Sequence, residues 1–128
     1  MAMATVFLGI VDQSLDELVR RSFLSEGGFA IGGEASDGDE VVAQMSLTHP
    51  DFVVLEMTIP PNDTLRASEI LKLKFPRVRV FAITDLVTLE LEKRAFAAGI
   101  DAVFATSELS SLVANARDIC EASGMSRS

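Results

Sequence analysis

Three carboxylates and two hydroxyls stand where apolar runs of this chain end. Asp12 follows "ATVFLGIV" with Gln13 beside it, and Glu56 closes the apolar part of "DFVVLEM". Thr84 ends "VRVFAIT" and is followed by Asp85, and Thr106 ends "DAVFAT". Carboxylates brought together repel one another; they relieve the repulsion by holding a proton or by recruiting a cation. Asp12, Glu56 and Asp85 are therefore read as an acidic pocket, provided the fold gathers the ends of these runs at one edge.

The elements between them predict that it does. The runs at 4–11, 29–35, 51–57, 78–84 and 101–106 have the length of strands. The segments between them carry apolar residues three and four apart, as in Leu15, Val19 and Phe23, and again in Leu109, Leu112, Val113, Ala116 and Cys120. A capping box, Ser14-x-x-Glu17, predicts the start of the first helix, and Ser36 or Asp37 that of the second. Gly27, Gly28 and Gly99 mark helix ends. The first and third runs are apolar nearly throughout, as strands covered on both faces are. The expected architecture is α/β: a doubly wound, five-stranded parallel sheet flanked by five helices, with one domain over 1–122 and a tail or linker start over 123–128. In such a sheet functional groups collect at the carboxyl ends of the central strands.

Composition narrows the chemistry. Among 128 residues there are 11 basic and 19 acidic side chains, a net charge of −8 that repels polyphosphate backbones, so direct nucleic-acid binding by this segment is not expected. The one basic concentration, Lys72, Lys74, Arg77 and Arg79, reads as a solvated helix end and the turn after it. A single cysteine, Cys120, and a single histidine, His49, leave no intrachain disulfide, no cysteine metal cage and no Ser/His/Asp triad. Cys120 is assigned to the core. "SDGDE" lacks the spacing of a calcium loop and reads as a helix-capping turn. No run approaches the ~18 apolar residues of a membrane span, and a soluble, cytoplasmic protein is expected.

Five stretches, "IVDQS" (10–14), "GEASDGDE" (33–40), "PDFVVLEMTIP" (50–60), "ITD" (83–85) and "AGIDAVFATS" (98–107), resemble those of response-regulator receiver domains, over nearly the whole chain. "GEASDGDE" is most like receivers placed ahead of a helix-turn-helix output domain. The resemblance implies the flavodoxin-like receiver fold and a two-component signalling role. It also implies a phosphoacceptor at the end of the third strand, with Mg²⁺ between that carboxylate and an acidic pair after the first.

The matching positions depart from the family. Glu56 stands at the phosphoacceptor position, one methylene longer than aspartate, and the acidic pair is Asp12 and Gln13. Any metal would rest on Asp12 and Glu56, so Mg²⁺ binding is expected to be weak or absent. Thr84 retains the family's hydroxyl, while Asp85 replaces a small residue at the donor's entrance. Thr106 occupies the lysine position, and Val103 the aromatic switch position, with Phe104 leaving that register open by one.

The expectation is a degenerate receiver, not an enzyme, that acts through phosphorylation-independent protein contacts or as a homodimer. The surface is helix 4, strand 5 and helix 5, with Leu89 and Phe96 exposed on helix 4 opposite Leu91, Ala95 and Ala98. The alternatives are a working phosphoacceptor using Glu56, Asp12 or Asp63, and, more remotely, a flavodoxin-like cofactor binder. The acidic, glycine-poor turn "VDQSLDE" disfavours the latter.

Overall fold

The computed structural model describes residues 3–57 and 64–123, so Asp63 lies outside the described residues. Strands β1 (Ala4–Gly9), β2 (Phe29–Ala35), β3 (Phe52–Glu56), β4 (Arg79–Thr84) and β5 (Ala102–Ala105) alternate with helices α1 (Gln13–Glu26), α2 (Gly38–Thr48), α3 (Thr64–Lys74), α4 (Leu89–Ala97) and α5 (Leu109–Ser123). All strand pairs are parallel and the order is β2-β1-β3-β4-β5. The chain thus reverses its direction of winding between β1 and β3, and the carboxyl ends of these two strands flank the crevice. Each predicted run holds a strand. Helix α5 runs to Ser123. Among the described residues no helix is long and apolar enough to cross a membrane.

Two apolar layers sandwich the sheet. Leu15, Val19 and Phe23 of α1 and Leu112, Val113, Ala116 and Cys120 of α5 cover one face. Val41 and Met45 of α2, Ala67 and Leu71 of α3 and Ala95 of α4 cover the other. Cys120 is buried, as expected. On the α1/α5 face a chain of rings crosses the sheet: Phe23 to Phe29 at 5.0 Å, Phe29 to Phe52 at 6.1 Å, Phe52 to Phe81 at 5.7 Å and Phe81 to Phe104 at 5.6 Å between centroids. Such pairs each add about 0.5–1.5 kcal/mol beyond the area they bury. Gly33, beside a bulge in the β1–β2 pairing, keeps this sheet closed on its other face: a Cβ there would lie 2.7 Å from the Phe7 ring.

Helix α1 corrects the capping box. Its N-cap is Asp12, in extended conformation, with Oδ1 accepting the Leu15 N–H at 3.0 Å; Ser14 lies inside the first turn. The cap sits where the chain leaves β1, two residues earlier than the Ser-x-x-Glu pattern, and Glu17 pairs with Arg21 instead. Of the two candidates at α2, Asp37 is the cap, accepting from Glu40 N at 2.8 Å.

At the opposite edge two aspartates tie neighbouring strands together. Asp51, just ahead of β3, accepts the Thr5 N–H of β1 at 2.8 Å, and Asp101, just ahead of β5, accepts the Val80 N–H of β4 at 2.8 Å. Asp101 also pairs with Lys72 at 2.8 Å, and Lys72 donates to the Val78 carbonyl at 2.6 Å. Lys72 is thus a half-buried tie between α3 and the sheet, which corrects its reading as a solvated charge. Replacing Asp101 by alanine strands the N–H of fully buried Val80, and urea unfolding is expected to show a loss of about 1–3 kcal/mol without loss of the native helical signal.

Candidate functional site

The carboxyl ends of β1, β3, β4 and β5 meet at one edge, and Glu56 is the last residue of β3 there. Its side chain turns toward β1: Oε1 accepts the Val11 N–H at 2.8 Å and the Asp12 N–H at 3.2 Å. These two amides sit in the turn from β1 into α1, where no strand partner reaches them. One carboxylate oxygen therefore holds the end of β3 to the mouth of α1. The Glu56 carbonyl accepts the hydroxyl of fully buried Thr64 at the start of α3. Glu56 is tied at both its backbone and its side chain.

A small cavity of about 80 Å³ opens beside it, lined by Leu15, Glu56, Met57, Ile83, Thr84, Asp85 and Thr106. The structure brings Glu56, Thr84, Asp85 and Thr106 together as the sequence predicts. It does not add Asp12 and Gln13 to them. Asp12 meets Glu56 through its backbone N–H, while its own carboxylate caps α1. Gln13 lines a separate cleft with Asp16, Glu34, Ser36 and Glu40. Among the described residues no three His, Cys, Asp or Glu side chains gather in an arrangement that could hold a metal ion. The expected convergence of Asp12, Glu56 and Asp85 is thus corrected. Helix capping and loop binding use two of the carboxylates separately.

Mg²⁺ takes oxygen ligands in a near-octahedral shell, usually one or two carboxylates with water. Here one oxygen of Glu56 is held by two amides, one oxygen of Asp12 caps a helix, and Gln13, a neutral amide, lines another cleft.

β5 settles the register at its middle. Val103 pairs with Ala82 and packs on the α2/α3/α4 side, while Phe104 pairs with Ile83 and packs against Phe81 on the α1/α5 side. Phe104 therefore turns away from α4, and Val103 is the residue beneath it.

Sequence reasoning missed the charged group behind Gln13. Arg20 bonds Asp16 at 3.3 Å and pairs with Glu34. Burial, and then the neighbouring Glu34, push the Asp16 carboxyl above the usual range. Spacing offered only half the signal: Asp16 and Arg20 are four apart on α1, but Glu34 arrives from β2.

No protein-family model matches the chain. The transcriptional regulatory protein PdtaR of Mycobacterium tuberculosis is 34% identical over 89 residues, covering 69% of this chain and 42% of that protein. The solved LuxR-family two-component response regulator from Aurantimonas sp. SI85-9A1 superposes with a TM-score of 0.87 at 24% identity, over 94% of this chain and 87% of that one. This chain is a response-regulator receiver domain. The receiver spans less than half the length of the curated relatives it matches. A chain of the solved CheX–CheY–BeF₃–Mg²⁺ complex from Borrelia burgdorferi shares the fold with a TM-score of 0.76 and 24% identity, over 81% of this chain and 78% of that one. That complex contains a partner protein and Mg²⁺. The relatives are regulatory proteins, in accord with the expectation that this receiver is not an enzyme.

If Glu56 is a strap, its acceptor oxygen matters and its charge is secondary. Glu56→Ala is expected to speed amide hydrogen exchange at Val11 and Asp12 by roughly fivefold to tenfold, since a bond of this kind contributes about 1–1.5 kcal/mol. Glu56→Gln, which keeps an oxygen at the same reach, retains most of the protection.

Proposed function

We propose that this receiver is a signalling module that works through protein contacts and does not depend on phosphorylation. The observation that carries the reading is the Glu56 carboxylate held by the Val11 and Asp12 amides. Phosphoryl transfer needs a free carboxylate oxygen in line with a donor, and misplacement by about 1 Å can cost roughly a hundredfold. Glu56 has an extra methylene and a bound oxygen. Asp85 stands at the mouth of the cavity and repels an anionic donor. Thr106, in place of a lysine, supplies no cation for a phosphoryl group, so Glu56 also lacks the partner that would make it an effective phosphate mimic. The module requires no Mg²⁺ and acts in the cytoplasm.

The contact surface is helix α4 with β5 and α5. Leu89 and Phe96 are 69% and 51% exposed on α4, seven residues apart and so on one face, with exposed Leu86 in the loop before them. Ala95 and Ala98 are buried on the opposite face, so the apolar pair is left over from packing and free for a partner.

The test is intact-mass spectrometry after incubation with acetyl phosphate and Mg²⁺, run beside a variant carrying Glu56→Asp, Gln13→Asp and Thr106→Lys. The expected result is an unmodified wild-type chain and a phosphorylated variant. A phosphoryl adduct on the wild type overturns the proposal in favour of a working acceptor.

A further inference from the structure

The ends of α2 and α3 leave a groove far from the Glu56 cavity, at the amino edge of the sheet. It has a volume of about 490 Å³ and a mainly apolar lining from Met45, His49, Pro50, Phe75, Pro76 and Val78. His49, in left-handed conformation after α2, and Phe75, after α3, meet edge to face at 6.3 Å and both line it. Asp51 also lines it, with a carboxylate oxygen accepting the Thr5 N–H. The two most exposed large apolar side chains among the described residues are Leu47, at 82%, and Leu73, at 84%. Both stand in the last turns of α2 and α3, the helices whose ends lead into the groove, and neither is among its lining residues. Packing within the chain accounts for neither.

Charge says what fits. The chain carries a net −8, yet this end holds its basic concentration: exposed Lys74 and Arg77 and half-exposed Arg79, with Arg77 on the groove wall. The complementary surface lies on the same chain. The entrance to α4 presents exposed Asp85 and Glu90 among exposed Leu86 and Leu89, an acidic and apolar surface opposite in sign to the basic concentration beside the groove. Two copies that both carry −8 repel overall, so a contact between them needs a local match of opposite sign.

We propose that the α2/α3 groove of one copy receives the Leu86–Leu89 entrance of α4 from a second copy. This rests on the reading of α4 as the contact face and names what that face meets. The two surfaces differ, so the contact is heterologous: each copy keeps one free groove and one free α4, and association continues head to tail.

Sedimentation velocity over a concentration series, with two variants, tests this. One variant blocks the groove (Pro76→Glu with Arg77→Glu) and the other blocks the entrance to α4 (Leu86→Glu with Leu89→Glu); all four residues are exposed, and circular dichroism checks the fold. The expected result is concentration-dependent association of the wild type, weakened by added salt, and a monomer for each variant alone. Mixed in equal amounts, the two variants form a heterodimer that grows no further, because one intact groove meets one intact α4. A groove variant that associates like the wild type, while the α4 variant is monomeric, overturns the groove inference and leaves α4 as a face that pairs with itself. A wild type that stays monomeric at every concentration overturns the second copy as occupant.

Discussion

One carboxylate oxygen accepting two backbone N–H groups holds the functional edge together. The turn from β1 into α1 crosses the switch point of the sheet, where the strands diverge and their amides have no ladder partner. Val11 and Asp12 are both exposed, so water competes for these N–H groups, and the Glu56 carboxylate supplies a fixed acceptor in its place. That acceptor is Oε1 of Glu56, at the end of a side chain one methylene longer than aspartate. The carboxylate at the phosphoacceptor position accepts two backbone N–H groups through one of its oxygens.

Other features of the edge follow from that assignment. With the Glu56 oxygen held toward β1, Asp12 can serve α1 as its cap, and Gln13 is turned to another cleft beside Asp16, Glu34 and Arg20. What remains beside Glu56 is a cavity of about 80 Å³ with two threonines and one further carboxylate. It is small and negatively lined, unsuited to an anionic donor. The scaffold around it is fully built: both faces of the sheet are covered, and a chain of phenylalanine rings crosses from β2 to β5. On the proposed reading, a domain that keeps its packing while its edge is engaged in its own bonds acts through its outer surfaces. The surfaces proposed for that role are the apolar face of α4 and the groove at the ends of α2 and α3.

The sequence made the fold legible because its signals are local. β1 and β3 read as unbroken apolar runs, and Gly27 and Gly99 stand at helix ends with the positive φ that their positions require. Leu89 and Phe96 fell on the outer face of α4 by helical spacing alone. The site was legible as a set of positions but not as a set of bonds. Periodicity placed Glu56 and Asp12 at one edge, yet could not show that they meet through an amide and not as two carboxylates. Ser14 matched a capping pattern, but the cap is chosen by where the chain leaves β1, which is a tertiary matter. Asp51 and Asp101 were absorbed into the apolar runs they precede. Their role depends on the strand alongside, 46 residues away for Thr5 and 21 for Val80. Lys72 was grouped with its basic neighbours for the same reason, since its partner Asp101 comes from beyond α4.

The central claim is that Glu56 belongs to the β1–α1 turn and not to a metal. The most direct measurement is a Mg²⁺ titration followed by the amide resonances of Val11 and Asp12 together with the Glu56 carboxyl carbon. The account predicts no saturable movement in any of the three, because the oxygen stays with the two amides. Saturable shifts of all three, moving together, would show Glu56 leaving the turn for the cation and would contradict it.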